Sequence, residues 1–140
     1  MTTLATRGLR VEVGEATVCT ALDLVVTPGS RWAVLGRNGS GKTTLLHTLA
    51  GLRLPAAGTI ELNGEALRRL PRRRIAAHLA ILLQDHQDHF PGTVLETVLT
   101  GRHPHLGLWQ WEGLHDLAVA RAALAAMGVA GLEGRSLATL

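Results

Sequence analysis

An α/β fold is predicted for these 140 residues by three features of the chain. A continuous apolar run, Trp32-Ala33-Val34-Leu35, ends at Gly36, as expected for a parallel strand buried on both faces and running into a loop. Leu45, Leu46 and Leu49 then recur at helical spacing, and Gly51 supplies the left-handed stop. Segments rich in β-branched residues lie on either side, at residues 9–13, 17–26 and 59–62.

Each element follows from local chemistry. Gly14 turns the chain between the first two strands, and Pro28-Gly29 closes this opening unit. Asn63-Gly64 marks a turn after Thr59-Ile60-Glu61-Leu62, and Pro71 opens a short basic helix. Residues 79–83 read as a second buried strand. Thr93 with Glu96 three positions on makes a capping box for a helix through Leu99. An alanine-rich helix is expected from Asp116 to Met127, ending at Gly128. No internal repeat or linker interrupts the chain, so residues 1–140 are expected to form one domain or part of one.

Composition narrows the class. Apolar residues make up 46% and charged residues 18%, which fits a globular α/β protein rather than a disordered tail or coiled coil. No apolar run approaches the roughly 20 residues needed to cross a bilayer, so any membrane link is expected to run through a partner. The first residues lack the basic end and apolar core of a secretory signal, and a cytosolic location is expected. Cys19 is the one cysteine; it can form no internal disulfide and reads as a core residue of a strand. Basic residues number 14, yet Lys42 is the only lysine. Arg68, Arg69, Arg72, Arg73 and Arg74 cluster around Pro71, but no aromatics interleave with them and aromatics total 3%. A solvated helix face is expected there, and no nucleic-acid partner.

The strand-to-helix junction carries the chemistry. A chain of phosphates can be held by backbone N–H groups only where side chains do not block the approach. Gly36-Arg37-Asn38-Gly39-Ser40-Gly41-Lys42-Thr43 meets that need. Gly36, Gly39 and Gly41 let the loop curl with amides inward, and the next helix presents its N-terminus with about half a positive charge. Lys42 is placed to bridge the outer phosphates, Thr43 to offer a hydroxyl to Mg²⁺, and Thr44 to add a phosphate hydrogen bond. The ligand expected is a purine nucleoside triphosphate, most simply Mg-ATP. The apolar strand before this loop and the leucine-spaced helix after it are the context such a P-loop requires.

The run from Gly36 to Thr44, followed by Leu45-Leu46 and Ala50-Gly51-Leu52, resembles the ATP-binding subunit of ABC transporters. Pro55-Ala56-Ala57-Gly58-Thr59-Ile60 and Asn63-Gly64 resemble the family's next segment, and Leu82-Leu83-Gln84 its glutamine loop. Phe90-Pro91-Gly92-Thr93-Val94 through Gly101-Arg102-His103-Pro104-His105 resembles the importers of iron-siderophore, haem or cobalamin compounds. The resemblance covers nearly the whole chain. It implies an N-terminal antiparallel β unit beside an incomplete P-loop core of parallel strands, over residues 1–92, and the start of a helical part over 93–140. It also implies that Gln84 touches Mg²⁺ and the attacking water, sensing the γ-phosphate. A rival reading takes residues 79–83 with Asp85 as a strand ending in a Mg-binding acid. Gln84 intervenes in that pattern, and His86 stands where a catalytic glutamate would be.

The partners implied are membrane permease subunits and a second ATP-binding subunit, with the chain peripheral on the inner face of the plasma membrane. Phe90, Arg102 and His103 are the contact candidates. His86, His89, His103 and His105 invite a metal-site reading, but Pro91-Gly92 break the helix that would align them, and a structural or interface role is expected.

Two departures from the family pattern matter. Val13 stands where an aromatic residue usually stacks on adenine, so weak discrimination between ATP and GTP is expected. The signature Ser-Gly-Gly-Gln, the Walker B aspartate, the catalytic glutamate and the switch histidine have no counterparts in this sequence. The chain is therefore expected to be the N-terminal part of such an ATPase, binding nucleotide without efficient hydrolysis. The alternatives are a small P-loop kinase, which would need a lid and acceptor pocket, and a non-catalytic fragment that binds a permease.

Overall fold

The computed structural model describes residues 2–84, 92–107 and 109–140. The chain forms two compact units, Met1–Ile81 and Leu82–Leu140.

In the first unit, β1 (Leu4–Val13), β2 (Ala16–Val26), β3 (Ala57–Leu62) and β4 (Glu65–Ala66) form one sheet in the order β2-β1-β3-β4, every pairing antiparallel. The helices α1 (Lys42–Leu49) and α2 (Arg72–Ala76) belong to the same unit. Gly14 turns β1 into β2, with Val13 opposite Ala16, and Asn63-Gly64, both at positive φ, turn β3 into β4. Both strands of the first hairpin begin earlier than the sequence suggests, because pairing extends them beyond their β-branched stretches.

A bulge shapes the centre of the sheet. The β1–β3 register shifts between Arg7 and Arg10, and this brings Thr6 onto the buried face with Leu9 and Val11. Gly58 makes the close approach possible: a Cβ there would lie 2.3 Å from the Gly8 carbonyl oxygen, and its φ of 81° is one that side chains disfavour. Thr6 stays satisfied by donating its hydroxyl to the Leu22 carbonyl and accepting from the Leu24 N–H. The core joins Leu9, Val11, Ile60 and Leu62 of the sheet to Leu45 and Leu49 of α1, with Leu67 and Ile75 completing it. Cys19 packs half-buried against this cluster, as its place in a strand suggests.

In the second unit, α3 (Val94–Thr100) and α4 (Leu114–Ala126) pack together, and Thr93 bridges to Ser136. Val94, Leu106, Ala120 and Leu124 are its buried apolar residues. The capping box at Thr93 forms as expected: its hydroxyl accepts from the Glu96 N–H, and the Glu96 carboxylate accepts from the Thr93 N–H at 2.7 Å. The α4 helix starts at Leu114, two residues before the expected position, because Asp116 caps from inside the first turn. Among the described residues, no helix is long and apolar enough to cross a membrane.

Two expected strands are not formed. Residues 32–35 and 79–83 are irregular, with Trp32 63% exposed and Leu35 and Leu82 each 90% exposed. Their apolar sequence expresses a tendency to be buried, but a parallel strand also needs a neighbour to accept and donate its ladder hydrogen bonds. No described segment pairs with either run, and the only sheet among the described residues is the antiparallel one.

Candidate functional site

The loop from Gly36 to Gly41 leads directly into α1, and its geometry is set by its own polar groups. Lys42 turns back so that its Nζ donates to the carbonyls of Gly36 (2.7 Å) and Arg37 (2.8 Å). The Ser40 N–H donates to the Arg37 carbonyl at 3.2 Å, and Gly39 sits at φ 78°. The lysine thus ties the beginning of the loop to the start of the helix that follows.

Gly41 is the N-cap of α1, in the left-handed region at φ 87°. A Cβ at this position would lie 2.4 Å from a Val18 methyl, so only glycine lets the loop enter the helix against β2. Gly41 has no side chain to cap with, and the first turn of α1 holds no acidic residue. The Leu45 N–H bonds to the Gly41 carbonyl at 2.9 Å, which starts the helical ladder. Earlier in that turn, the backbone N–H groups of Lys42, Thr43 and Thr44 have no acceptor among the described residues. The Thr43 and Thr44 hydroxyls are likewise uncommitted there. Unmet donors, the positive end of the helix dipole and a lysine ammonium converge at one exposed point.

This is the donor set that an anion with several oxygens requires. Phosphate oxygens would be held by the amides of the loop and first turn, with Lys42 as the mobile cation. A divalent ion carried with the phosphates would find the Thr43 hydroxyl at the same helix start. Gly36, Arg37, Asn38, Gly39, Ser40, Gly41, Lys42, Thr43 and Thr44 all belong to the first unit and run into the start of α1. Val13 belongs to that unit too, at the tip of the β1–β2 hairpin and 41% exposed. Gln84 belongs to the second unit.

The remaining candidates divide. Arg102 is largely buried and donates its Nε to Asp116 at 2.8 Å, so it serves the second unit from within and is not an open contact residue. His103 is exposed, with its Nε2 3.3 Å from Glu112. Phe90, Asp85, Asp88, His86 and His89 lie outside the described residues. Among the described residues, no three His, Cys, Asp or Glu side chains converge as metal ligands.

Asp116 is the residue whose importance the sequence reading missed. It accepts from the Gly113 N–H at 3.0 Å as well as from Arg102. The Gly113 N–H bond and then the Arg102 guanidinium hold its carboxyl below the ordinary aspartate range. The spacing of three from Gly113 was the available signal, since it matches that of Thr93 and Glu96. The Glu96 carboxyl is lowered in the same direction by the Thr93 N–H and hydroxyl.

Comparison with known proteins agrees with this geometry. A family described as ABC transporter matches residues 19–140. The hemin import ATP-binding protein HmuV of Gloeobacter violaceus is 41% identical over 138 residues, covering 98% of this chain and 49% of that protein. A Bacillus subtilis protein described as a siderophore transport system ATP-binding protein, YusV, is 37% identical over 123 residues, 87% of this chain and 45% of that protein. Among solved structures, one described as a metal-chelate type ABC transporter in an inward-facing conformation superposes with a TM-score of 0.73 at 28% identity. That match covers 99% of this chain and 50% of the other. A nucleotide-free ATP-binding cassette superposes with a TM-score of 0.75 at 20% identity, covering all of this chain and 59% of the other, a likeness of fold. The chain spans about half the length of the curated relatives it matches. The chain belongs to the ABC transporter family.

Proposed function

We propose that this chain holds the phosphates of Mg-ATP on residues 36–44 and acts in the energy-coupling subunit of an importer for iron-siderophore, haem or cobalamin compounds. The observation that carries this reading is the uncapped, acid-free N-terminus of α1, tied by Lys42 to the loop before it. The names of the relatives support the haem and siderophore part of that cargo class. Thr43 would offer its hydroxyl to Mg²⁺, and the family resemblance gives Gln84 the role of registering the γ-phosphate.

The partners in this reading are membrane permease subunits and a second ATP-binding subunit, with the chain at the inner face of the plasma membrane through the permease. His103, exposed on the second unit, is the better placed of the two described contact candidates. Alone, the chain binds nucleotide without efficient turnover, because none of its residues matches the catalytic glutamate or the signature sequence that would face a partner's phosphate loop. Val13 gives the base only a small aliphatic contact, and the loss of an aromatic stack worth about 0.5–1.5 kcal/mol leaves ATP and GTP poorly distinguished.

Titration with a fluorescent ATP analogue in the presence of Mg²⁺ tests the reading. Saturable binding is expected, and Lys42→Ala weakens it by about tenfold or more, the effect of losing a charged hydrogen-bond donor. Steady turnover at the rate of a complete transporter ATPase, abolished by Lys42→Ala, would contradict the claim that the chain binds without hydrolysing. Unaltered binding in Lys42→Ala would contradict the phosphate site itself.

A further inference from the structure

The arginine cluster near Pro71 has a structural counterpart that the phosphate site does not use. In the first unit, a hollow of about 500 Å³ lies between the end of α1, the segment leading into β3, and α2. That volume is in the range of small-molecule sites. Its floor is apolar and continuous with the core, through Leu67 and Ile75, which are 5% and 7% exposed, and Leu54 lies at its mouth. Arg53, Arg68 and Arg72 line its walls, and no aspartate or glutamate does.

The charge pattern differs from that of five arginines elsewhere in the chain. Arg7, Arg10, Arg74, Arg102 and Arg121 each lie against a carboxylate, those of Glu61, Glu12, Glu65, Asp116 and Glu133. Around the hollow, Arg53 instead donates one N–H to the Glu12 carbonyl at 2.8 Å, and Arg72 donates one to the Gly51 carbonyl. These bonds position each guanidinium while leaving most of its five donors and its full charge uncompensated. Arg68 makes no hydrogen bond or ion pair with any described residue.

We propose that this hollow is a second binding site, for a small amphipathic acid whose anionic head meets Arg68 and Arg72 and whose apolar body covers Leu67 and Ile75. A carboxylate and a phosphate monoester share the chemistry required, since the guanidinium fork accepts either in bidentate fashion. A nucleic acid fits less well: the site is a concavity with an apolar floor, and no aromatic side chain lines it for a base to stack on.

Methyl-detected NMR of the whole chain, following Leu67 and Ile75, tests this with octanoate and hexyl phosphate, and with 1-octanol and acetate as controls. Octanoate or hexyl phosphate is expected to shift both methyl sets saturably, and the tighter of the two identifies the head group. Octanol lacks the charge and acetate lacks the body, so each binds at least about fivefold more weakly. Arg68→Ala, at an exposed side chain with no structural bond, weakens the acid by about threefold to tenfold without altering octanol, and Arg68→Lys restores part of it. The proposal is overturned if octanol binds as well as octanoate, if Arg68→Ala changes nothing, or if poly(U) perturbs these methyls more tightly than either acid.

Discussion

Three helix N-termini in this protein differ in a way that separates structure from function. At the third helical residue, α3 places Glu96 and α4 places Asp116, and each carboxylate accepts the N–H of its own cap residue. At the same position α1 places Thr44, after a glycine cap that offers no side chain. The first two ends are closed by the protein's own anions, whereas the third has no side-chain cap and no acid in its first turn. The contrast identifies a helix start whose donors the fold itself leaves unmet, beside a lysine that the loop holds in place.

The most severe way to break this contrast is to close α1 as the others are closed. Thr44→Glu puts a carboxylate at the position of Glu96 and Asp116, and nucleotide binding should fall by about a hundredfold or more. Two like charges about 5 Å apart near a protein surface repel by roughly 3 kcal/mol. Thermal stability should hold or rise, since an acid in the first turn is worth about 0.3–1 kcal/mol to the helix. A fluorescent-nucleotide titration paired with a melting curve reads both effects.

Opening a closed end is the converse. Asp116→Asn removes a charged acceptor shared by the Gly113 N–H and the Arg102 guanidinium, and should lower the midpoint of urea melts at neutral pH. Because the folded carboxyl is depressed from its ordinary value of 3.8, its contribution is fully present above that value. It is lost as the pH falls through the lower folded value, so the gap between wild type and variant should close in acid. A gap that persists unchanged at low pH would exclude the charge as its source.

Thr93→Ala opens the α3 end more gently and should cost about 1 kcal/mol, measured by the same melts, with nucleotide affinity unchanged. The smallest effect concerns the base. Val13→Tyr should improve ATP over GTP by up to about tenfold in competition binding, the range of one aromatic contact. Equal gains for both nucleotides would place Val13 away from the base.

Much of this was legible because it is local. The hairpin turns at Gly14 and Asn63-Gly64, the leucine spacing of α1 and the box at Thr93 and Glu96 each lie within a few residues of the group they organise. The phosphate loop is readable for the same reason: its nine residues are consecutive, and the helix that completes it begins inside the motif. Residues 32–35 and 79–83 were not readable in this way. Their apolar pattern predicts burial, yet becoming a strand depends on a neighbour that no local pattern can supply. Arg102 and Asp116 illustrate the same limit, since 14 residues separate them and only the fold brings them to 2.8 Å. The acid-free hollow walled by Arg53, Arg68 and Arg72 likewise follows from the placement of β3 and α2 and not from the run of arginines alone.

The central claim is that the open end of α1 receives the phosphates. Backbone amide NMR of the wild-type chain, titrated in parallel with Mg-ATP and with adenosine, tests it most directly. The account predicts that Mg-ATP shifts the amides of Gly39, Gly41, Lys42, Thr43 and Thr44, leaves those of Glu96 and Asp116 unmoved, and that adenosine shifts none of the loop amides. Loop amides that respond equally to adenosine, or Mg-ATP shifts at the starts of α3 and α4 in place of α1, would contradict it.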